Sequence, residues 1–120
     1  MAKVLIVDDM QSELDLASQY VSGAGYTVVT ATNGKEALQK VLSNKPDAIV
    51  TDWMMPEMGG MDLCRKLKKN PETATIPVIA CTAKDRDVDK KWAQKQGVNA
   101  YLVKPYAETD LVSALRAAMG

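Results

Sequence analysis

The sequence predicts an α/β fold in which helices cover both faces of a parallel sheet. Short apolar runs alternate with helical patterns five times along the chain, which is typical of repeated strand–helix units. The first and third runs, V-L-I-V (4–7) and A-I-V (48–50), hold no polar residue, as expected of strands buried on both faces. Hydrophobic residues make up 47% of the 120-residue chain, which is enough to form a core.

Each predicted strand is a short apolar run that ends at polar or turn residues. In chain order the strands are Lys3–Val7, Tyr26–Ala31, Asp47–Thr51, Pro77–Thr82 and Ala100–Val103. A helical pattern follows each strand, near residues 12–23, 35–44, 60–69, 86–96 and 108–119. Asn33 and Glu36 have the spacing of a capping box, with Asn in place of Ser or Thr, and predict the start of the second helix. Gly25 and Gly97 lie where helix ends need a left-handed residue.

Composition excludes several classes of protein. Lys plus Arg and Asp plus Glu both total 15 with no basic block, so direct nucleic-acid binding is not expected. No signal peptide is recognisable, and no apolar run approaches the roughly 18 residues of a spanning helix, so we expect a cytoplasmic protein without membrane insertion. Cys64 and Cys81 follow no metal or redox spacing and are expected to be buried thiols. We expect one domain over residues 1–120, with no effector domain attached.

Four of the five predicted strands end at candidate site residues, and the second ends in Ala31-Thr32-Asn33, without charge. Right-handed crossovers bring the carboxyl ends of parallel strands to one edge of the sheet, where open α/β sheets bind ligands. The residues at these ends are Asp8 and Asp9 for the first strand, Asp52 for the third, Thr82 for the fourth and Lys104 for the fifth. We therefore expect three carboxylates, a hydroxyl and an ammonium group to share one rim.

Asp8 and Asp9 are adjacent, and two like charges about 4 Å apart repel by on the order of 4 kcal/mol at an effective dielectric of about 20. Three carboxylates together suit Mg²⁺, which takes one or two carboxylates and often carries a phosphate. The ion would offset this repulsion and leave one carboxylate to act as a nucleophile, which gives an acyl phosphate. Lys104 would then offset charge on the transferred phosphoryl group.

Four motifs in this order resemble the CheY-like receiver domains of two-component signalling. They are V-D-D (7–9), T-D-W-M-M-P-E-M-G-G (51–60), C-T-A-K (81–84) and Y-L-V-K-P-Y (101–106). The resemblance spans the whole chain. It implies a flavodoxin-like (βα)5 sandwich whose five-stranded parallel sheet has the order 2-1-3-4-5.

The resemblance also implies roles for the residues at the rim. Asp52 would be the phosphoacceptor. Asp9 and Asp52 would bind Mg²⁺ directly, the backbone carbonyl of Met54 would be a further ligand, and Asp8 would act mainly through water. Lys104 would pair with the phosphate.

The same resemblance implies a switch. Thr82 would hydrogen-bond a phosphoryl oxygen, and Tyr101, the switch aromatic, would turn inward as Thr82 moves toward the phosphate. Pro105 would follow a cis peptide bond. Apart from its own phosphorylation and dephosphorylation, such a protein catalyses nothing.

The segment A-K-D-R-D-V-D-K-K-W-A-Q-K-Q-G (83–97) resembles stand-alone PilH-type receivers of type IV pilus systems, whereas T-D-W-M-M-P (51–56) is similar to the flagellar chemotaxis type. Both imply a diffusible, monomeric motility regulator. Its phosphoryl donor would be a CheA-like histidine kinase or a histidine phosphotransfer domain. Its target would be a pilus or flagellar motor-associated protein that binds the fourth helix, fifth strand and fifth helix.

Some positions depart from the family pattern. Met54 stands where fast-hydrolysing chemotaxis receivers have a polar side chain, and Lys84 stands at the other position that tunes hydrolysis. We expect slow self-dephosphorylation, because an apolar Met54 cannot orient the attacking water. Ala107 replaces a frequent Asp, which leaves Thr109 as the candidate cap of the last helix.

Two tryptophans have different predicted surroundings. Trp53 directly follows Asp52 and is expected beside the site. Trp92 shares a helical face with Val88 at i, i+4 spacing, and this face either packs on the sheet or meets a partner.

Three alternative functions differ in the residues that they require. A phosphorelay intermediate or phosphate sink without direct output fits the same residues. A phosphatase of the haloacid dehalogenase type needs a second Asp two residues beyond the nucleophile, where this chain has Met54. A flavin-binding module needs a Ser-, Thr- or Gly-rich phosphate loop after the first strand, and the acidic Asp8-Asp9 pair would repel the flavin phosphate.

Overall fold

The computed structural model describes residues 2–55 and 58–120, in which five strands alternate with five helices. The strands are β1 (Lys3–Val7), β2 (Thr27–Ala31), β3 (Ala48–Asp52), β4 (Val78–Thr82) and β5 (Ala100–Val103). The helices are α1 (Gln11–Gly23), α2 (Gly34–Ser43), α3 (Gly60–Lys69), α4 (Asp87–Lys95) and α5 (Glu108–Met119). Every predicted boundary lies within one residue of the observed one.

The strands form a single parallel sheet in the order β2-β1-β3-β4-β5, which confirms the predicted flavodoxin-like topology. Helices α1 and α5 pack on one face of the sheet, and α2, α3 and α4 pack on the other. The order places β1 next to β3 at the centre, so the acidic ends of these two strands are neighbours.

Alternation of side chains along β1 explains why residues 4–7 include no polar residue. In β1, Val4 and Ile6 face α1 and α5, whereas Leu5 and Val7 face the three helices opposite. All four are buried. A strand covered on both faces has no solvent side on which a polar residue can lie.

Local signals at the helix ends are mostly as predicted. The carboxamide oxygen of Asn33 accepts a hydrogen bond from the Glu36 N–H at 2.8 Å, and Gly25 and Gly97 have φ of 95° and 93°. The Glu36 carboxylate accepts from the N–H of Thr32, at 2.8 Å, rather than from Asn33 itself.

The expected cap of the last helix is wrong. Thr109 lies inside α5, whose N-cap is Ala107. The Asp110 carboxylate accepts the Ala107 N–H at 3.0 Å, so an acid in the first turn satisfies the backbone donor of the N-cap residue, as the third helical residue of a capping box does.

Backbone bonds extend the sheet one residue beyond several strand ends and fix the rim. The N–H of Asp8 donates to the Ala31 carbonyl at 3.1 Å, and the N–H of Lys104 donates to the Thr82 carbonyl at 2.8 Å. The side chains at these positions therefore start from a rigid backbone.

No helix within 2–55 and 58–120 is both long and apolar enough to cross a membrane.

Candidate functional site

Three aspartates meet at the carboxyl ends of β1 and β3. One carboxylate oxygen from each of Asp8, Asp9 and Asp52 lies within 4.8 Å of the others. Asp8 is buried, Asp52 is partly buried and Asp9 is exposed. The three side chains therefore form one acidic cluster that opens to solvent on the Asp9 side.

Lys104, at the end of β5, reaches across β4 into this cluster. Its Nζ lies 2.8 Å from Asp8 Oδ2 and 3.6 Å from Asp52 Oδ2. Two negative charges and one positive charge thus share a largely buried space, and the cluster keeps a net negative charge.

Backbone N–H groups hold the remaining oxygens of the same two carboxylates. The N–H of Met10 donates to Asp8 Oδ1 at 3.0 Å, and the N–H of Met54 donates to Asp52 Oδ1 at 3.3 Å. In each aspartate Oδ1 is bonded to the backbone two residues on, and Oδ2 faces the lysine. Both side chains are therefore fixed in orientation.

The pKa values of Asp52 and Lys104 are both raised, but for different reasons. Burial raises the pKa of Asp52, and the charges of Asp8 and Asp9 add to this, whereas Lys104 opposes it. Burial alone would lower the pKa of Lys104, but its hydrogen bond to Asp8 and the charge of Asp52 outweigh this and leave that pKa raised. At neutral pH the lysine remains an ammonium group.

The donor set fits a hard divalent cation. Carboxylate oxygens are the ligands that Mg²⁺ and Ca²⁺ prefer, and Mg²⁺ needs only one or two of them beside water. The acidic cluster offers three, one of them on an exposed side chain. Burial is the main cause of the raised pKa of Asp52, and a divalent ion placed there would offset the repulsion from Asp8 and Asp9 that adds to it.

Thr82 and Tyr101, the two residues predicted to form a switch, are linked through the backbone of a third residue. The Thr82 hydroxyl oxygen accepts from the N–H of Lys84 at 3.3 Å, and the Tyr101 hydroxyl donates to the carbonyl of Lys84 at 2.9 Å. Sequence reasoning placed Lys84 only as a tuning position, because nothing in the pattern signals a backbone contact.

A cleft of about 470 Å³ gives access to the site. Its lining residues are Met10, Glu13, Asp52, Met54, Thr82, Ala83, Lys84, Lys104 and Pro105. The peptide bond between Lys104 and Pro105 is cis. The side chain of Met54 is 51% exposed at the mouth of the cleft. Glu13 was not anticipated, because its place depends on how α1 leaves the sheet.

Trp53 and Trp92 differ in burial. Trp53 is 4% exposed and packs in the core on the α2–α4 face, directly after Asp52. Trp92 is 48% exposed and Val88 is 62% exposed, so this face of α4 does not pack on the sheet. The sequence left open whether this face of α4 packs on the sheet or is exposed to a partner, and the structure shows that it is exposed.

The two cysteines are buried thiols, as expected from their spacing. Both are free and lie in the core. Burial raises the pKa of Cys64 and raises that of Cys81 to about 12, so neither has thiolate character at neutral pH.

Comparison with known sequences places these features in context. A sequence model of the response regulator receiver domain matches residues 4–116. Protein PilH of Pseudomonas aeruginosa is 37% identical over 119 residues, which cover 99% of this chain and 98% of that protein. The alkaline phosphatase synthesis transcriptional regulatory protein PhoP of Bacillus subtilis is 35% identical over 115 residues, and the match spans 47% of its length.

Solved structures give the same picture. A putative response regulator from Chloroflexus aurantiacus superposes with a TM-score of 0.94 at 34% identity, over 98% of this chain and 97% of the other. The chemotaxis protein CheY4 of Vibrio cholerae superposes with a TM-score of 0.92 at 32% identity, over 98% of both chains.

Proposed function

The chain belongs to the response regulator receiver domain family, and from this premise we propose that Asp52 accepts a phosphoryl group from a CheA-like histidine kinase or a histidine phosphotransfer domain. The observation that supports this most is the acidic cluster, with carboxylate oxygens within 4.8 Å of one another and Lys104 Nζ at 2.8 Å from Asp8 and 3.6 Å from Asp52. One nucleophile, its charge partner and a cation site thus lie together.

In the proposed transfer, Asp52 Oδ2 attacks the phosphorus atom of the donor's phosphohistidine. The phosphorus–nitrogen bond breaks, and its electron pair goes to the imidazole nitrogen, which is then protonated. The Met54 N–H keeps Asp52 oriented through Oδ1. Lys104 moves from Asp8 toward the phosphoryl oxygens and offsets their charge, so the protein contributes mainly positioning and electrostatics.

Asp9, Asp52 and the Met54 carbonyl would hold Mg²⁺, with Asp8 acting mainly through water. When bound, the ion offsets the charge that accumulates on the phosphoryl oxygens. Asp8 meanwhile keeps its bond to the Met10 N–H, so it stays oriented when Lys104 leaves it.

The proposed switch starts at Thr82. Its hydroxyl leaves the N–H of Lys84 and donates to a phosphoryl oxygen, which frees the β4–α4 segment that Tyr101 also holds through the Lys84 carbonyl. Phosphorylation would thus shift the equilibrium between arrangements of α4, β5 and α5. The exposed Val88 and Trp92 make α4 the apolar part of the face that meets the target.

We place the output in motility, by way of a type IV pilus or flagellar partner, and propose a stand-alone, monomeric regulator. The support is the match to protein PilH, which covers 98% of that protein, and to the chemotaxis protein CheY4. A phosphate sink without a target would use the same chemistry, and capture of a partner by the phosphorylated protein distinguishes the two.

The first test combines Trp fluorescence with intact mass. Addition of Mg²⁺ and then beryllofluoride, a phosphoryl mimic, should change the emission of Trp53, because this side chain is buried next to Asp52. Acetyl phosphate should add one phosphoryl group to the mass. A Trp92→Phe variant isolates the Trp53 signal, and Asp52→Asn should abolish the beryllofluoride response and the added mass. If the wild-type protein shows neither response, the proposed function is wrong.

A further inference from the structure

One charged side chain in the cleft has no role in the proposed transfer. Glu13 lies in the first turn of α1 and lines the same cleft as Asp52 and Lys104. It is partly buried, and within 2–55 and 58–120 its carboxylate makes no ion pair. A negative charge in an acidic cleft without such a partner calls for an explanation.

The usual structural role of this residue is already filled. A Glu at the third position of a helix commonly reaches back to the N–H of the N-cap residue, which here is Met10. The Met10 N–H instead donates to Asp8 Oδ1 at 3.0 Å. Asp8 therefore takes the capping bond, and the Glu13 carboxylate is left facing the cleft.

The balance of charge in the cleft makes Glu13 significant for any anion that enters. Asp8, Asp9 and Asp52 supply three negative charges, and Lys104 is already engaged with two of them. Lys84 is the other ammonium group of the lining. With a divalent ion bound, the three aspartates and Lys104 are neutral as a set. The lining then keeps one further acid, Glu13, and one further ammonium group, Lys84.

We propose that Glu13 is a specificity-determining residue that repels small dianionic phosphodonors and so favours phosphoryl transfer from a protein. This inference rests on the proposed function of Asp52. A protein donor is also held by contacts outside the cleft, so the repulsion from one charge lowers its affinity little. A small donor such as acetyl phosphate has only its own charged groups with which to bind, and it meets Glu13 on the way to Asp52.

The reaction used in the test is balanced without further reagents. Asp52 attacks the phosphorus atom of acetyl phosphate, the bond from phosphorus to the acetyl oxygen breaks, and acetate leaves with the electron pair. The total charge of three negative units is unchanged by the transfer. Glu13 touches no reacting atom, so its effect is limited to the approach and binding of the donor.

The experiment compares wild-type protein, Glu13→Gln and Asp15→Asn in saturating Mg²⁺, with phosphorylation followed by intact mass. Asp15→Asn is the matched control, because Asp15 is an exposed acid of the same helix that does not line the cleft and bonds the Gln11 side chain at 2.7 Å. Glu13→Gln should raise the second-order rate constant for acetyl phosphate by roughly three- to tenfold at low ionic strength. Asp15→Asn should change it little.

Two further measurements separate a charge effect from a structural one. The gain should shrink toward unity in about 1 M salt, where the screening length falls from about 10 Å at 0.1 M to about 3 Å. It should also be smaller with phosphoramidate, which carries one net negative charge near neutral pH, than with dianionic acetyl phosphate. A rearranged α1 would alter both donors alike at all salt concentrations.

Each outcome is decisive. Equal rates for Glu13→Gln and Asp15→Asn at low salt, or a gain that is independent of salt and of donor charge, would overturn the role of Glu13 and leave the phosphoacceptor role of Asp52 intact. If Glu13→Gln unfolds, Glu13→Ala, which removes the charge, should show the gain and its salt dependence, and Glu13→Asp, which keeps the charge, should retain the wild-type rate. Absence of phosphorylation in every protein would overturn the proposed function and this inference with it.

Discussion

The surroundings of Asp52 penalise its charged form. Its Oδ1 is bonded to the Met54 N–H, and its Oδ2 shares the Lys104 ammonium group with Asp8. Burial and the two neighbouring aspartates nevertheless raise its pKa. The carboxylate is thus prepared for a cation, which offsets its charge, and for formation of an acyl phosphate, in which the negative charge lies on the phosphoryl oxygens.

Asp52→Asn should therefore stabilise the metal-free protein. A folded-state pKa above the ordinary 3.8 means that the folded protein binds the proton more tightly, so stability falls as pH rises through that raised pKa. In EDTA at pH 7 the variant should have the higher free energy of unfolding by urea, and the difference should diminish below about pH 4. A variant less stable than wild type at pH 7 would show that the ion pair with Lys104 dominates.

The same pair of proteins tests the cation site. Mg²⁺ should raise the urea midpoint of the wild-type protein, because a ligand that binds only the folded state stabilises it. Asp52→Asn should gain less, since it lacks one carboxylate of the cluster. Equal gains would place the ion elsewhere.

We expect the phosphorylated protein to lose its phosphate slowly because of the side chain of Met54. Its side chain is apolar and 51% exposed at the mouth of the cleft, so it offers no hydrogen bond to an attacking water. Met54→Asn should speed hydrolysis of the aspartyl phosphate on the order of tenfold, equivalent to about 1.4 kcal/mol. Decay of the phosphorylated mass measures this rate, and Met54→Leu is the control that should leave it unchanged. An Asn variant as slow as wild type would refute the explanation.

At the scale of elements, capping signals differ in how well they predict structure. The Asn33 bond to the Glu36 N–H was predictable, because side chain and donor are three residues apart in one turn. The cap of α5 was not predictable, because the Asp110 side chain bonds the Ala107 N–H from inside the helix. An acid in the first turn of a helix can also interact with the helix dipole alone, so its presence does not indicate which backbone N–H it bonds.

The junction of β3 and α3 is packed so closely that only glycine fits. A Cβ on Gly60 would lie 2.5 Å from the Asp52 carbonyl oxygen and 2.9 Å from the Thr51 side chain. This contact seats the first turn of α3 against the end of β3, next to the proposed phosphoacceptor.

Gly60→Ala should therefore lower the free energy of unfolding by roughly 1–3 kcal/mol, as overpacking does. Gly23→Ala, at the end of α1, is the matched control, because its new Cβ would have no atom nearer than Glu108 Oε1 at 4.0 Å. It should raise stability by about 0.5–1 kcal/mol. Urea unfolding of both variants measures the contrast, and equal effects would mean that the junction relaxes freely.

At the scale of the molecule, α4 has an apolar surface that is not part of the core. Val88 and Trp92 are exposed, whereas Ala93 on the opposite side of the helix is fully buried. The helix is thus anchored by one small residue and presents its large apolar residues outward.

Val88→Ala and Trp92→Ala should consequently change the free energy of unfolding by no more than about 0.5 kcal/mol, as expected of exposed positions. Phosphorylation of Asp52 should be unaffected in both. Capture of a partner by the beryllofluoride-bound protein should weaken, and Leu42→Ala, which removes an exposed apolar side chain on α2, should leave capture unchanged. Loss of stability in Trp92→Ala would place this side chain in the core instead.

The sequence by itself determined the elements and the set of residues at the rim. Strand and helix periods are local, and the hand of the crossovers carries Asp8, Asp52 and Lys104 to one edge whatever the side chains do afterwards. The sheet order also needed the family resemblance, because periodicity alone leaves the order of parallel strands open.

Only the tertiary structure decided which groups at that edge touch. In the structure, Lys104 Nζ lies 2.8 Å from Asp8 Oδ2, and Glu13 lines the cleft. Thr82 and Tyr101 both bond the backbone of Lys84. The side chain of Trp92 is exposed to solvent. Each of these depends on distances of a few ångströms between side chains on different elements. Such distances follow from how far each helix is displaced and rotated on the sheet, and no local period in the chain encodes them.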